Sequence, residues 1–247
     1  MLDDIIKQFI EDFKSNKDNP VIVGFMPIIW FGNIDNYLNS KKRVITIGLN
    51  PSRKEFPEME DNQRFQRMNL DSMVDSKMIS DLKQNLNSYF DRKPYVNWFR
   101  WGENVLNIFG ATYYTNKQNN KDFSQGIHID IYTSIATNPT WRGLDKENKQ
   151  RLSKTGLTLF KKLLGFLNPD VILVSTNKNV FNEVFVTDLG FESKPGWERY
   201  KDPTKKTSFY VRKYCHDKQL LYWIYNCNGT AFLDTKEYIE RCMNELV

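Results

Sequence analysis

Cysteine and histidine are scarce in this chain. Three cysteines occur among 247 residues, Cys215, Cys227 and Cys242, and none forms a C-x-x-C pair. Three cysteines cannot close a set of disulfides and cannot supply a four-cysteine iron–sulfur site. The two histidines, His128 and His216, have no third metal ligand at suitable spacing. We therefore expect a reducing compartment, no metal and no cofactor.

Long apolar runs are missing as well. No stretch approaches the roughly 20 residues of a membrane span. The N-terminus, Met-Leu-Asp-Asp-Ile-Ile, lacks the basic and apolar regions of a signal peptide. The glycine patterns G-x-G-x-x-G and G-x-x-x-x-G-K-[ST] of nucleotide sites are also absent. The expectation is a cytoplasmic monomer that does not bind a membrane.

Basic residues are concentrated in one segment of the chain. The net charge is +5, and between Lys194 and Lys218 eight Lys or Arg residues stand against three acids, with aromatic residues between them. This pattern favours contact with DNA phosphates, through Lys205, Lys206 and Arg212 as candidates. The alternative for the same segment is a solvated basic hairpin.

Hydrophobic periodicity predicts an α/β protein. Helices are predicted at residues 2–14, 72–92, 98–109, 149–167, 179–187 and 235–246. Strands are predicted at residues 43–48, 130–136, 170–175, 208–213 and 219–225. Their order predicts a central parallel or mixed sheet with helices on both faces. We expect one domain over residues 1–247, with 1–40 as an N-terminal helical cap.

Polar loops follow four of the predicted strands. Residues 48–52, 134–141, 175–177 and 225–230 occupy these strand ends, and three of the four are rich in Asn, Pro or Gly. Ligands of parallel α/β sheets bind outside the carboxyl ends of the strands, where backbone donors converge. The sequence therefore predicts the functional site at this edge of the sheet.

Two of these loops carry a family resemblance. Gly48-Leu-Asn-Pro-Ser52 after a strand resembles the first active-site motif of the uracil-DNA glycosylase superfamily, which is G-Q-D-P-Y, G-I-N-P-G or G-M-N-P-G in its branches. The Asn-Pro form belongs to the mismatch-specific and single-strand-selective branches. Asn226-Cys-Asn-Gly229 takes the place of the late H-P-S or N-P-S-G motif, with Cys227 where relatives have proline.

The resemblance implies a reaction and roles for the motif residues. Enzymes of this family flip a base out of DNA and hydrolyse its N-glycosidic bond without a metal, leaving an abasic site. Asn50 would position the attacking water, and Asn226 would contact a carbonyl of the base. The loop groups that would contact the flipped base are those of Gly48, Leu49, Pro51 and Ser52.

Aromatic residues near the two motifs have implied roles as well. Stacking on the flipped base would fall to Phe56 or Phe65, of which Phe56 is preferred. Phe232 would wedge into the duplex, or alternatively anchor the start of the last helix. The loop that would carry this wedge also contains Asn228, Gly229 and Thr230.

One position departs from the main uracil-specific branches, in which an asparagine reads the edge of the base. Ser134 aligns with that asparagine and cannot make the same bidentate contact, although Asn138 is an alternative source of the amide. This leaves room for a larger or modified base, such as the hypermodified bases of phage DNA, and for a role in antiviral defence. The competing hypothesis is a non-catalytic DNA- or nucleotide-binding module on the same fold.

Overall fold

The computed structural model describes residues 1–58, 63–115, 123–194, 198–201 and 208–225. Contacts divide the chain into two compact units that interleave along the sequence. The first unit contains Met1–Asn39, Leu49–Tyr95 and Ile127–Asn168. The second contains Ser40–Gly48, Val96–Gly126 and the described chain from Pro169 onward. The expectation of one domain over residues 1–247 stays a prediction.

Helices and strands both occur in the described chain. The α-helices are α1 (Leu2–Asn16), α2 (Ile34–Leu38), α3 (Ser76–Asn87), α4 (Val96–Ile108), α5 (Lys146–Leu167) and α6 (Lys178–Phe181). The strands are β1 (Val44–Gly48), β2 (Ala111–Thr112), β3 (Ser124–Asp130), β4 (Val171–Val174), β5 (Glu192–Ser193), β6 (Glu198–Lys201), β7 (Ser208–His216) and β8 (Gln219–Tyr225). A π-helical segment, Asn182–Asp188, continues directly from α6.

Several helices begin at a polar side chain that caps the first turn. The side chains of Asn33, Asp75, Asp145 and Asn177 each accept a hydrogen bond from the backbone N–H three residues later. Such a cap satisfies a donor that the helix itself leaves open. The cap at Asp145 explains why α5 starts before the apolar periodicity, which first becomes visible at about residue 149.

The described strands form one mixed sheet of eight strands. Their order is β2-β3-β1-β4-β8-β7-β5, and β6 pairs with β7. β1, β4 and β8 are parallel neighbours, whereas β7 is antiparallel to β8. Because β1, β4 and β8 are parallel, their carboxyl ends at Gly48, Val174 and Tyr225 lie at the same edge. The α/β prediction is confirmed.

The first unit packs α1 against α5 and α3. Ile6 and Ile10 on the apolar face of α1 are fully buried. On α5, a Cβ at Gly156 would collide with the carbonyl oxygen of Tyr132. The absence of a side chain at this position therefore lets the helix lie directly on the segment that follows β3.

One predicted strand was wrong. The sequence predicts a strand over residues 130–136, whereas the strand is Ser124–Asp130 and the next residues form a buried loop. The run Ile-Tyr-Thr-Ser-Ile-Ala is apolar because the loop is buried, and burial alone does not distinguish a strand from a loop. The helix predicted at residues 235–246 lies outside the described residues.

Candidate active site

The loop after β1 lies in the first unit and runs beside the loop after β3. The carbonyl oxygen of Leu49 accepts a hydrogen bond from the N–H of Tyr132, at 3.0 Å. Pro51 accepts one from the N–H of Thr137 at 3.3 Å, and Thr137 in turn accepts one from the N–H of Arg53 at 3.2 Å. Backbone hydrogen bonds therefore fix residues 49–53 along residues 132–137.

The side chain of Asn50 crosslinks the same two loops. Its Nδ2 donates to the carbonyl oxygen of Pro51 at 2.7 Å and to Oγ1 of Thr137 at 2.8 Å. Its Oδ1 accepts a longer bond, 3.3 Å, from the N–H of Trp141. Oγ1 of Thr137 donates to the carbonyl oxygen of Pro139, at 2.8 Å, so it is oriented to accept from Asn50. Both amide hydrogens of Asn50 therefore take part in hydrogen bonds. Among the contacts of the described residues, its Oδ1 can still accept a further hydrogen bond.

Two aromatic rings flank this crosslink. The rings of Tyr132 and Trp141 stack with centroids 4.5 Å apart and planes 8° apart. Tyr132 is buried and Trp141 is half-buried. The stack holds Trp141 where its backbone N–H reaches Asn50. Thr137 is the central hydrogen-bond partner of Asn50, although it was not among the predicted site residues. Its position directly before the Asn-Pro turn was the signal that the sequence offered.

The structure separates the two aromatic candidates for base stacking. Phe65 is 2% exposed and stacks on Tyr89 at 5.1 Å, so it is a core residue and is inaccessible to an incoming base. Phe56 is half-buried and packs edge to face on Phe25 at 5.1 Å. Any side chain at Gly24, which has a φ of 90°, would collide with the Phe56 ring. Phe56 is the candidate that remains.

The two candidates for reading the base differ in exposure. Ser134 lies in the buried loop, 4% exposed, and its Oγ has no hydrogen-bond partner among the described residues. Asn138 is exposed and is next to Thr137, the partner of Asn50. Ser134 is therefore neither at a strand end nor at the surface, and Asn138 is the accessible side chain.

A buried carboxyl lies three residues after Ser52. Glu55 is 3% exposed, and the hydroxyl of Tyr89 donates to its Oε2 at 2.6 Å. Burial raises the pKa of Glu55 from 4.5 to about 7, with a smaller increase from Asp130; the Tyr89 hydrogen bond and the Arg64 charge lower it. Glu55 was not among the predicted site residues, because an acid between basic residues and a phenylalanine normally predicts an exposed turn.

The other predicted site residues contribute little to this geometry. Ser52 is half-buried and its Oγ accepts from the N–H of Lys54 at 3.3 Å, which starts a short helical turn. Arg212 lies half-buried in β7, paired with Trp223 in register. The remaining predictions lie outside the described residues: Asn226, Asn228, Gly229, Thr230, Phe232, Lys205 and Lys206.

Within the described residues, no helix is both long and apolar enough to cross a membrane. No group of three or more His, Cys, Asp or Glu in that part of the chain could hold a metal. The chain matches no family model, no curated protein and no solved structure. The geometry of the loop after β1 is therefore the basis for assigning a function.

Proposed function

We propose that the protein is a monofunctional DNA glycosylase, which flips a uracil or modified base out of DNA and hydrolyses its N-glycosidic bond. The observation that carries the proposal is the immobilised amide of Asn50 at the carboxyl end of β1. Its hydrogen bonds to Pro51, Thr137 and Trp141 fix where Oδ1 points before any substrate arrives. The motif resemblance gives this geometry its chemical interpretation.

The reaction requires a positioned water rather than a strong base. The bond from C1′ to the base nitrogen breaks, the base leaves with the bonding electrons, and the water oxygen bonds to C1′. The proton that the water loses ends on the departing base. An amide oxygen accepts a hydrogen bond from the water and orients it, but does not take its proton. The rate then comes from positioning and from stabilisation of charge at the sugar and the base.

Preorganisation supports this role for Asn50. Three backbone hydrogen bonds hold the loop against residues 132–137, and both amide hydrogens of Asn50 are already engaged. A catalytic group that is fixed in the free protein costs no reorganisation when the substrate reacts. Phe56, half-buried and backed by Phe25, is the proposed surface on which the flipped base stacks.

Exposure of Asn138 and burial of Ser134 support a base larger than uracil. The proposed pocket takes its amide from the exposed Asn138, whereas Ser134 is enclosed in the buried loop after β3. A less enclosed pocket tolerates substituents on the base. Under this proposal, hypermodified phage bases are substrates and defence against phage is the biological role.

The test is release of a base from end-labelled duplexes that carry uracil, a thymine mismatch, 5-hydroxymethylcytosine or its glucosylated form. Alkaline cleavage reveals each abasic site. Asn50→Ala should reduce the rate by about 100-fold or more, as expected for loss of a positioning group, while DNA affinity stays nearly unchanged. Thr137→Val, which removes the partner of Nδ2, should give a smaller loss. Asn179→Ala, at an exposed asparagine on α6, is the matched control.

A second candidate function has a specific observation in its favour. Both amide hydrogens of Asn50 bind acceptors within the protein, as they do in a purely structural crosslink. A non-catalytic DNA-binding module would need only such a crosslink. Absence of base release from every duplex, with DNA still bound, would favour this candidate. Loss of affinity equal to the loss of turnover in Asn50→Ala would contradict the water-positioning role.

A further inference from the structure

The indole of Trp141 differs from those of two buried tryptophans in what it contacts. Trp30 is fully buried, and its Nε1 donates to Oδ1 of Asn87 at 3.1 Å. Trp223 is 6% exposed, and its Nε1 donates to the carbonyl oxygen of Thr176 at 2.9 Å. Trp141 is half-buried, and its Nε1 donates to no described residue. A buried indole normally finds an acceptor for its N–H, so the edge of Trp141 is built differently from a core side chain.

Tyr132 covers one face of the Trp141 ring. The two rings stack with centroids 4.5 Å apart and planes 8° apart. Tyr132 is 9% exposed, so it supports the indole from the protein side. The exposed part of the indole therefore belongs to its opposite face and to its edge. A flat ring that is supported on one side is a surface on which another ring can stack.

Backbone contacts fix the segment that leads to Trp141. Thr137 forms β-bridges with Ile22 on one side and with Ser52 on the other. Further along the chain, the backbone N–H of Trp141 donates to Oδ1 of Asn50 at 3.3 Å. The indole is therefore held in the free protein, next to the amide that is proposed to position the water.

A lysine ammonium group lies beside the same turn. Nζ of Lys149, on α5, donates to the carbonyl oxygen of Arg142, the residue after Trp141, at 3.3 Å. That acceptor is neutral, and no carboxylate of the described residues pairs with Lys149. The carboxylate of Asp145, one helical turn earlier, instead accepts from the N–H and Nδ2 of Asn148 at 2.7 and 2.8 Å. Positive charge beside an aromatic ring is the combination that binds single-stranded nucleic acid.

We propose that Trp141 stacks on an unpaired nucleobase next to the target base, and that Lys149 contacts the phosphate beside it. The proposal deepens the proposed function and rests on it, since that function places the target base at Asn50. It names DNA that is single-stranded beside the target base as the substrate. A base inside a duplex is covered on both faces by its neighbours, whereas an unpaired base can present a face to the indole. Every base has such a face, so the contact is tolerant of sequence.

The test compares two fluorescently labelled single-stranded DNAs of equal length. One carries ordinary bases throughout, and in the other the central nucleotides are stable abasic analogues. Trp141→Leu should lower the affinity for the first strand by about 5- to 150-fold, as for the loss of one base–aromatic stack. It should leave the affinity for the abasic strand unchanged. Trp141→Tyr should restore most of the affinity, because it returns an aromatic face to the position.

Lys149→Gln separates the phosphate contact from the base contact. It should lower the affinity for both strands alike and flatten the slope of log affinity against log salt by about 0.7. The matched controls are Trp98→Leu, at a tryptophan of α4 that is 40% exposed, and Lys154→Gln, at an exposed lysine further along α5. Both controls should keep the affinities and the slope of the wild type. An unchanged slope in Lys149→Gln would contradict the phosphate contact.

Tryptophan fluorescence gives a second measurement, which does not depend on the folding of Trp141→Leu. A base that stacks on an indole quenches its emission. The strand with ordinary bases should therefore quench the emission of the wild type more than the abasic strand does. In Trp141→Tyr this difference should be lost although the strand still binds. Thermal melting of each variant establishes that it is folded.

Binding and base release are measured separately, on single strands that carry uracil or a modified base. Binding that depends on Trp141 without release of any base keeps the stacking contact and contradicts the glycosylase. Base release with an unchanged affinity in Trp141→Leu keeps the glycosylase and overturns the stacking contact. An equal loss of affinity for ordinary and abasic strands in Trp141→Leu also overturns the inference. So does a fully paired duplex or an RNA strand that the wild type binds more tightly than single-stranded DNA.

Discussion

Asn50 and Glu55 show how differently two polar residues of one loop are used. Asn50 is half-buried, and its amide is fixed by groups at residues 51, 137 and 141. Glu55 is buried, and its carboxyl organises the protein around it. Under the proposed function the first would position a water, whereas the second organises its neighbours. Substitutions at the two positions should therefore have different signatures.

Glu55 makes the stability of the protein depend on pH. Its pKa is about 7 in the folded protein because of burial, against an ordinary value of 4.5. The folded state thus keeps a proton that the unfolded state has already lost. The stabilisation is fully present below pH 4.5 and is lost as the pH rises through 7. The difference between the pKa values of Glu55 in the unfolded and folded protein corresponds to roughly 3 kcal/mol in the free energy of unfolding.

Urea unfolding between pH 4 and 8 measures this effect. Glu55→Gln has no ionisable group at the position, so its free energy of unfolding should fall less than that of the wild type over this range. Asp12, whose pKa burial raises to about 6, is present in both proteins. The difference between the two curves of unfolding free energy against pH therefore gives the contribution of Glu55 alone. Parallel curves would show that Glu55 does not titrate in this range.

Gly24 controls the position of the proposed stacking residue. Its φ is 90°, and a Cβ there would collide with the Phe56 ring. Gly24→Ala should displace Phe56 and lower base release more than it lowers DNA affinity. Gly165→Ala, on α5 where no atom lies within 4 Å of the added Cβ, is the matched control. Equal activity of both variants would remove Phe56 from the proposed site.

At the scale of elements, periodicity predicted the long helices and the strands β1, β4, β7 and β8, but not the buried strand β3. α1 and α5 differ from the predicted ranges mainly at one end each, and α5 starts earlier than predicted because the side chain of Asp145 caps its first turn. β2, β5 and β6 were missed, because two to four residues are too few to show alternation. The buried loop after β3 was mistaken for a strand. The partners of Asn50 and Glu55 come from distant segments, which no local pattern reveals.

The contact between α5 and the loop after β3 gives a prediction at this scale. Gly156→Ala places a methyl group where the Tyr132 carbonyl lies, so α5 or the loop must shift. The free energy of unfolding should fall by about 1 to 3 kcal/mol, as for other overpacked sites. Thermal or urea unfolding measures the loss. Destabilisation no larger than in Gly165→Ala would show that the contact relaxes freely.

For the whole molecule, the interleaving of the two units limits how the chain can be divided. Each unit draws on three separate segments, and β1 in the second unit pairs with β4 well over a hundred residues later. A chain that ends at Asn168 lacks β4, the parallel neighbour of β1, together with the strands that follow β4 in sequence. It should show no cooperative thermal transition by circular dichroism. A sharp transition in that fragment would show that residues 1–168 fold without β4 and the strands after it.

The bond between Asn50 and Thr137 joins residues 87 positions apart. Closing so long a segment of chain costs entropy, which only the completed packing repays. Nascent or partly folded chains, even those with β1 in place, hold Asn50 without its partner. The fixed conformation of the Asn50 side chain is therefore a property of the tertiary structure and not of the motif alone. A chain that ends before Thr137 would carry Gly48-Leu-Asn-Pro-Ser52 without the bond that fixes the side chain of Asn50.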